Sequence, residues 1–95
     1  MEIFGTKTFT LETDVKMQAF KICEEAFEVY QEAKYLAVNH DFITPEARLW
    51  NLRAEMADVI QSVVNLADML GLTEEEVLDD MNECYRRNAN RGRVE

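Results

Sequence analysis

Two pairs of carboxylates are the residues of this chain whose types and spacing could do chemistry. Glu25 and Glu28 stand three positions apart, and so do Glu55 and Asp58. On a helix, residues three apart share a face, so each pair projects from one side of its own element. The cross-pairs Glu25 with Asp58 and Glu28 with Glu55 are both centred between residues 41 and 42. Folding the two segments back antiparallel about that point sets Glu28 level with Glu55 and Glu25 level with Asp58, so that four carboxylates converge. Like charges so close repel by several kcal/mol at an effective dielectric near ~20, and a bound cation would offset that cost. A set of carboxylates without His or Cys selects a hard ion such as Mg²⁺, with Mn²⁺ as the second choice. A divalent ion held this way keeps open water positions, bridges phosphate oxygens and lowers the pKa of an attacking water.

The elements that must position these residues follow from periodicity. The first helix can be N-capped by Thr13 or Asp14 and carries apolar residues from Ala19 to Leu36 at spacings of three and four, ending near Asn39 and His40. The second opens with Thr44-Pro45, a capping residue followed by proline at the first helical position, and stops at Gly71. The third starts at Thr73-Glu74-Glu75-Glu76, a capping box, and carries Val77, Leu78, Met81, Cys84 and Tyr85. The expected helices span roughly 14–39, 45–70 and 74–88. The first dozen residues, with Ile3, Phe4, Thr8, Phe9 and Leu11, leave extended and irregular backbone both open. The expectation is one all-α domain over residues 1–95, an antiparallel helical hairpin plus a third helix.

Charge and composition narrow the classes. The net charge is −9. No Lys or Arg occurs from Ala54 to Tyr85, a stretch that holds Glu55, Asp58, Asp68, Glu74, Glu75, Glu76, Asp79, Asp80 and Glu83. Such a surface repels a nucleic-acid duplex. Arg86, Arg87, Arg91 and Arg93 crowd the C-terminal end, so an anion site beside a cation site is expected. Cys23 and Cys84 lack a CxxC or His companion, which reads as idle thiols in a reducing compartment. Neither a leader-like N-terminus nor an apolar run of membrane-spanning length is present, and the expectation is a soluble, cytoplasmic protein without a membrane partner.

The competing reading of the carboxylates is a solvated face, because on a helical wheel they lie opposite the apolar stripes. Two features argue against it. Below Asp58 the same face continues with Ser62 and Asn65, where a solvated face would carry Lys or Glu. The apolar arcs of both long helices also cover about half the wheel, more than a third helix can bury. A homo-oligomer, dimer or tetramer, is therefore expected, with Phe20, Phe27, Val63 and Leu66 dividing their contacts between core and interface.

Glu24-Glu25-Ala26-Phe27-Glu28 followed by Glu55-Met56-Ala57-Asp58 resembles the EExxE plus ExxD signature of the MazG-like, all-α nucleoside triphosphate pyrophosphohydrolases. The stretch from Ala54 to Leu72 also resembles the second motif helix of that superfamily and of its phosphoribosyl-ATP pyrophosphohydrolase relatives. The resemblance covers roughly residues 16–93. It implies hydrolysis of nucleoside triphosphates, ribo or deoxy, to a monophosphate and pyrophosphate in nucleotide-pool housekeeping, with Mg²⁺ held by Glu25, Glu28, Glu55 and Asp58. Glu24, together with Glu25, would orient or deprotonate the attacking water, and Arg87, Asn88 and Arg91 would bind the phosphates.

Two departures stand out. No lysine follows Lys34, so an arginine must do the work of the lysine that many relatives carry in the third helix. The position one turn after Asp58, aromatic in some relatives, is Ser62, which leaves base stacking to Tyr35, Trp50 or another subunit. His40 near the end of the first helix reads as a cap or dipole partner. The alternatives are a phosphoribosyl-ATP pyrophosphohydrolase and a non-catalytic acidic helical module.

Overall fold

The computed structural model describes residues 2–9, 13–38 and 44–93. Its elements are β1 (Glu2–Ile3), β2 (Thr6–Lys7), α1 (Val15–Val38), α2 (Pro45–Met69) and α3 (Glu74–Asn90). The three helices agree with the expected spans to within two residues at the ends described. His40 and the turn about which the hairpin folds lie outside the described residues, as does Leu11.

Local chemistry sets the boundaries. Of the two candidate caps of α1, Asp14 takes the role: its Oδ1 accepts from the Met17 N–H at 2.7 Å, satisfying a donor that the first turn leaves open. Thr44 caps α2 through its side-chain oxygen, which accepts from the Ala47 N–H at 3.2 Å, with Pro45 following. The helix ends where Gly71 turns to φ +72°, and the Leu72 N–H returns to the Ala67 carbonyl at 3.0 Å. That is a Schellman closure, which a Cβ at position 71 would strain. The capping box of α3 forms as the sequence predicts, with the Glu76 N–H donating to Thr73 Oγ1 and the Thr73 N–H donating to Glu76 Oε1, each at 3.1 Å.

The backbone left open by the sequence becomes a tight hairpin. Glu2 pairs with Lys7 and Ile3 with Thr6, antiparallel. Phe4 and Gly5 both hold positive φ, 55° and 75°, the pattern of a two-residue turn whose twist suits paired strands. The hairpin and the residues after it lie across the C-terminal half of α2. Phe4 N–H donates to Glu74 Oε1 at 3.1 Å, Thr8 Oγ1 to Asp68 Oδ2 at 2.6 Å, and Phe9 N–H to Asn65 Oδ1 at 3.1 Å. Gln61 Nε2 donates to the Lys7 carbonyl at 3.1 Å and to Asn65 Oδ1 at 2.9 Å.

Helices α1 and α2 pack along each other, while α3 joins the body through its first turns. Among the described residues the buried apolar core is Ile3, Val64 and Ala67, with Leu72 and Val77 against it. Gln18 is also buried, and its Nε2 donates to the Ser62 carbonyl at 3.0 Å, tying α1 to α2. So small a core leaves an open molecule. The radius of gyration is 16.0 Å, where a compact chain of this length has about 12 Å. The accessible surface is 7303 Å², where a compact monomer of this mass exposes about 5,700 Å². Phe20, Phe27, Ile60 and Met81 are all more than half exposed.

Candidate functional site

The antiparallel packing of α1 and α2 gives the hairpin two unlike seams. One is apolar: a hollow of about 280 Å³ is lined by Ala26 and Val29 of α1 and by Met56, Val59 and Ile60 of α2. It shares Val59 and Ile60 with a groove of about 520 Å³ that runs between α2, Phe4 and the Val77 and Met81 side chains of α3. The other seam carries the carboxylates.

One carboxylate oxygen from each of Glu25, Glu28 and Glu55 lies within 4.8 Å of the others. Glu25 and Glu55 are half-buried, and Glu28 is exposed. Every ionised pair at that separation costs roughly 1 to 4 kcal/mol between the limits of bulk water and an effective dielectric near 20. The repulsion favours the protonated form of Glu55 and Glu25. A hydrogen bond with Glu28, then burial, then the charges of Glu28, Asp58 and Glu25 push the Glu55 carboxyl up to about 7. Burial, followed by Glu28 and Asp58, raises Glu25 as well, and only Lys21 opposes. Glu55 Oε2 is buried without a hydrogen-bond partner among the described residues. A buried carboxylate oxygen in that condition forfeits hydration that nothing around it returns.

Asp58 stands just outside the tightest group. It shares with Glu25 a polar pocket of about 180 Å³, lined also by Phe9, Lys21, Gln61, Ser62 and Asn65. The level pairing expected of the hairpin therefore holds: Glu28 meets Glu55, and Glu25 meets Asp58. Ser62 and Asn65 are buried, 3% and 4% exposed, so the face below Asp58 is indeed not solvated. The N-terminal segment covers it. No known family model matches this chain, nor does any curated protein or solved structure.

The remaining expected site residues sit apart from the carboxylates. Glu24 is exposed and outside the group of three. Asn88 spends its amide on its own helix end, where Nδ2 donates to the Cys84 carbonyl at 2.9 Å and Oδ1 accepts from Arg93 at 3.2 Å. Arg87 and Arg91 are exposed on the last turn of α3 and its cap. Arg86 is engaged by Glu83, with Nε donating to Oε2 at 2.9 Å. Neither aromatic nominated for stacking belongs to the core. Trp50 is 67% exposed beneath the Arg53 guanidinium, 5.2 Å from the ring centroid. Tyr35 lies 4.9 Å from the guanidinium of Arg48, a buried residue that also faces Glu32 at 3.8 Å.

Sequence reasoning missed Lys21, Gln61 and Phe9. The first two carried a usable signal, since Lys21 precedes Glu25 by four and Gln61 follows Asp58 by three, and each spacing puts neighbours on one helix face. Phe9 carried none. Its place depends on a bond from its backbone to a side chain 56 positions away.

Proposed function

We propose that this chain is a Mg²⁺-dependent hydrolase of nucleoside triphosphates, ribo or deoxy, cleaving between the α- and β-phosphates to give a monophosphate and pyrophosphate. The observation that carries the reading is the convergence of Glu25, Glu28 and Glu55 around a buried, unpartnered Glu55 oxygen among the described residues. The all-carboxylate donor set fits a hard divalent ion and does not fit a soft one. Glu25, Glu28 and Glu55 would hold it, with Asp58 completing the set beside Glu25. Bound there, the ion would supply charge neutralisation on the phosphate oxygens and a more acidic water.

The chain's own groups would do the rest. Glu24, exposed one turn from Glu28, would orient a water or take its proton. Arg87 and Arg91 present cations to solvent, where a polyphosphate chain can recruit them by charge-assisted hydrogen bonds. Asn88 would join them after leaving its helix-end contacts. The EExxE and ExxD spacing points to the same chemistry.

The active unit would be a homo-oligomer. The surface exceeds that of a compact monomer by about 1,600 Å², close to what one subunit buries in an obligate dimer. The surplus is apolar where α2 and α3 frame the long groove.

The deciding experiment incubates the protein and Mg²⁺ with canonical and modified ribo- and deoxynucleoside triphosphates and with phosphoribosyl-ATP, reading pyrophosphate against orthophosphate. Pyrophosphate release that disappears in Glu55→Gln and Asp58→Asn supports the assignment. Undiminished release in both variants overturns it, and preference for phosphoribosyl-ATP reassigns the substrate.

A further inference from the structure

Helix α2 carries a second apolar stripe besides the face it turns to α1. Leu49, Arg53, Met56, Ile60, Val63 and Ala67 recur at alternating steps of four and three. That is the heptad spacing with which one helix meets another along a continuous seam. Arg48 and Glu55 mark the face turned to α1, through Glu32 and Glu28. The stripe lies roughly 110° round the helix from that face. Its apolar members Leu49, Met56, Ile60 and Val63 are 45–58% exposed. The two ends of the stripe differ in shape. Leu49 and Arg53 project from an open helix in the N-terminal half. In the C-terminal half Ala67 is buried, and the groove of about 520 Å³ runs over it between Phe4 and the Val77 and Met81 side chains.

A surface that projects at one end and is recessed at the other fits itself when turned end for end, which is the condition for a two-fold interface. The pairs Leu49 with Ala67, Arg53 with Val63 and Met56 with Ile60 are all centred on position 58. We infer that α2 docks antiparallel on α2 of a second copy of this chain, with Leu49 over the partner's Ala67, Arg53 over the partner's Val63 and Met56 over the partner's Ile60. Charge selects the direction. Parallel pairing in register would stack Arg53 on the partner's Arg53 and drive the hairpin and α3 of the two copies together. In the antiparallel pair the Arg53 stem covers the partner's Val63 while its guanidinium stays near Trp50, 5.2 Å from the ring centroid. The groove that receives it belongs to the stretch from Ala54 to Tyr85, which holds nine acids and no Lys or Arg. The surface in excess of a compact monomer, about 1,600 Å², is also the size that an obligate dimer buries on each subunit. The inference deepens the homo-oligomer of the proposed function by naming its interface, and it does not depend on hydrolysis.

Mass and register are measured apart from turnover. In sedimentation equilibrium at micromolar concentration the wild type should be a dimer of twice 11.1 kDa, or an even multiple of it. Ile60→Asp, at a side chain exposed in the single chain, should keep its helical circular dichroism and weaken dimerisation by ~30-fold or more, since the change enters the seam twice. Should Ile60→Asp unfold, disulfide trapping decides alone. Trapping uses a Cys23→Ser, Cys84→Ser background, which removes both native thiols. A Met56→Cys chain mixed with an Ile60→Cys chain should give the cross-linked heterodimer under mild oxidation. Trp50→Cys should not cross-link to itself, because the two copies of position 50 stand about 24 Å apart along an antiparallel seam. A monomeric wild type overturns the inference, as do a folded Ile60→Asp that dimerises as tightly as the wild type, failure of the mixed pair to cross-link, and trapping of Trp50→Cys with itself. A dimer of this register that releases no pyrophosphate leaves the interface standing and removes the hydrolase reading.

Discussion

Replacing Glu55 by Gln should stabilise the metal-free protein at pH 8 and leave it unchanged at pH 5. Glu55 is pushed from 4.5 up to about 7 in the folded chain. Between those values the unfolded glutamate is ionised while the folded one keeps its proton, so the native state binds more protons. Stability then falls as pH rises through the window and levels above it. At about 1.4 kcal/mol per pKa unit, and with at least half removed for solvent screening at a half-buried rim, the penalty at pH 8 is ~1–2 kcal/mol. Glu55→Gln has no proton to lose and escapes it. For a domain of this size the gain corresponds to roughly 5–15 °C in Tm at pH 8, vanishing near pH 5. Mg²⁺ should reverse the order. At ten times its Kd the ion adds about 1.4 kcal/mol to the wild type by mass action and less to the variant, which lacks one ligand. Thermal melts from pH 5 to 8, with and without Mg²⁺, read both effects. A wild-type Tm that stays flat over that range, together with equal responses of the two proteins to Mg²⁺, would refute the shared-proton account of the cluster.

Other consequences can be checked separately. Thr73→Ala removes the acceptor for the Glu76 N–H and should cost ~1 kcal/mol in denaturant unfolding. Phe27→Asp, at a ring more than half exposed on α1, should shift the protein toward a less stable, less active monomer in light scattering. A wild type that is active as a species of 11.1 kDa would contradict the assembly argument. Arg91→Ala should raise KM for the triphosphate several-fold while leaving the Mg²⁺-induced Tm shift in place, and an unchanged KM would put Arg91 in bulk solvent.

What the sequence made legible is what local rules control. Thr44-Pro45, Gly71 and the Thr73 to Glu76 box each act within a few residues, and their bonds form as read. The pairing of Glu28 with Glu55 was legible because two helices joined by a short connection must run antiparallel. The N-terminal hairpin was not legible, because two-residue strands carry no periodicity and their anchors are distant side chains of α2 and α3. Of the arginine partners of Tyr35 and Trp50, Arg48 and Arg53, that of Tyr35 was not legible, because it lies on the other long helix. Helix α3 shows its start in the sequence but not its setting, since beyond Val77 its apolar row has little of its own chain to pack against.

The segment laid across α2 also sets an order of events in folding. Its bonds join Phe4 to Glu74, Thr8 to Asp68 and Phe9 to Asn65, so during synthesis these residues wait for partners made 56 to 70 positions later. Closing loops of that length is slow compared with winding helices, and the closed form is held by a handful of hydrogen bonds and by Ile3 packed with Val64 and Ala67. The acidic seam can assemble as soon as α1 and α2 meet, but its neighbouring pocket stays open on one side until the segment arrives. The same segment should be the first to detach on warming, so amide exchange at Phe4 and Phe9 should outpace exchange in α2.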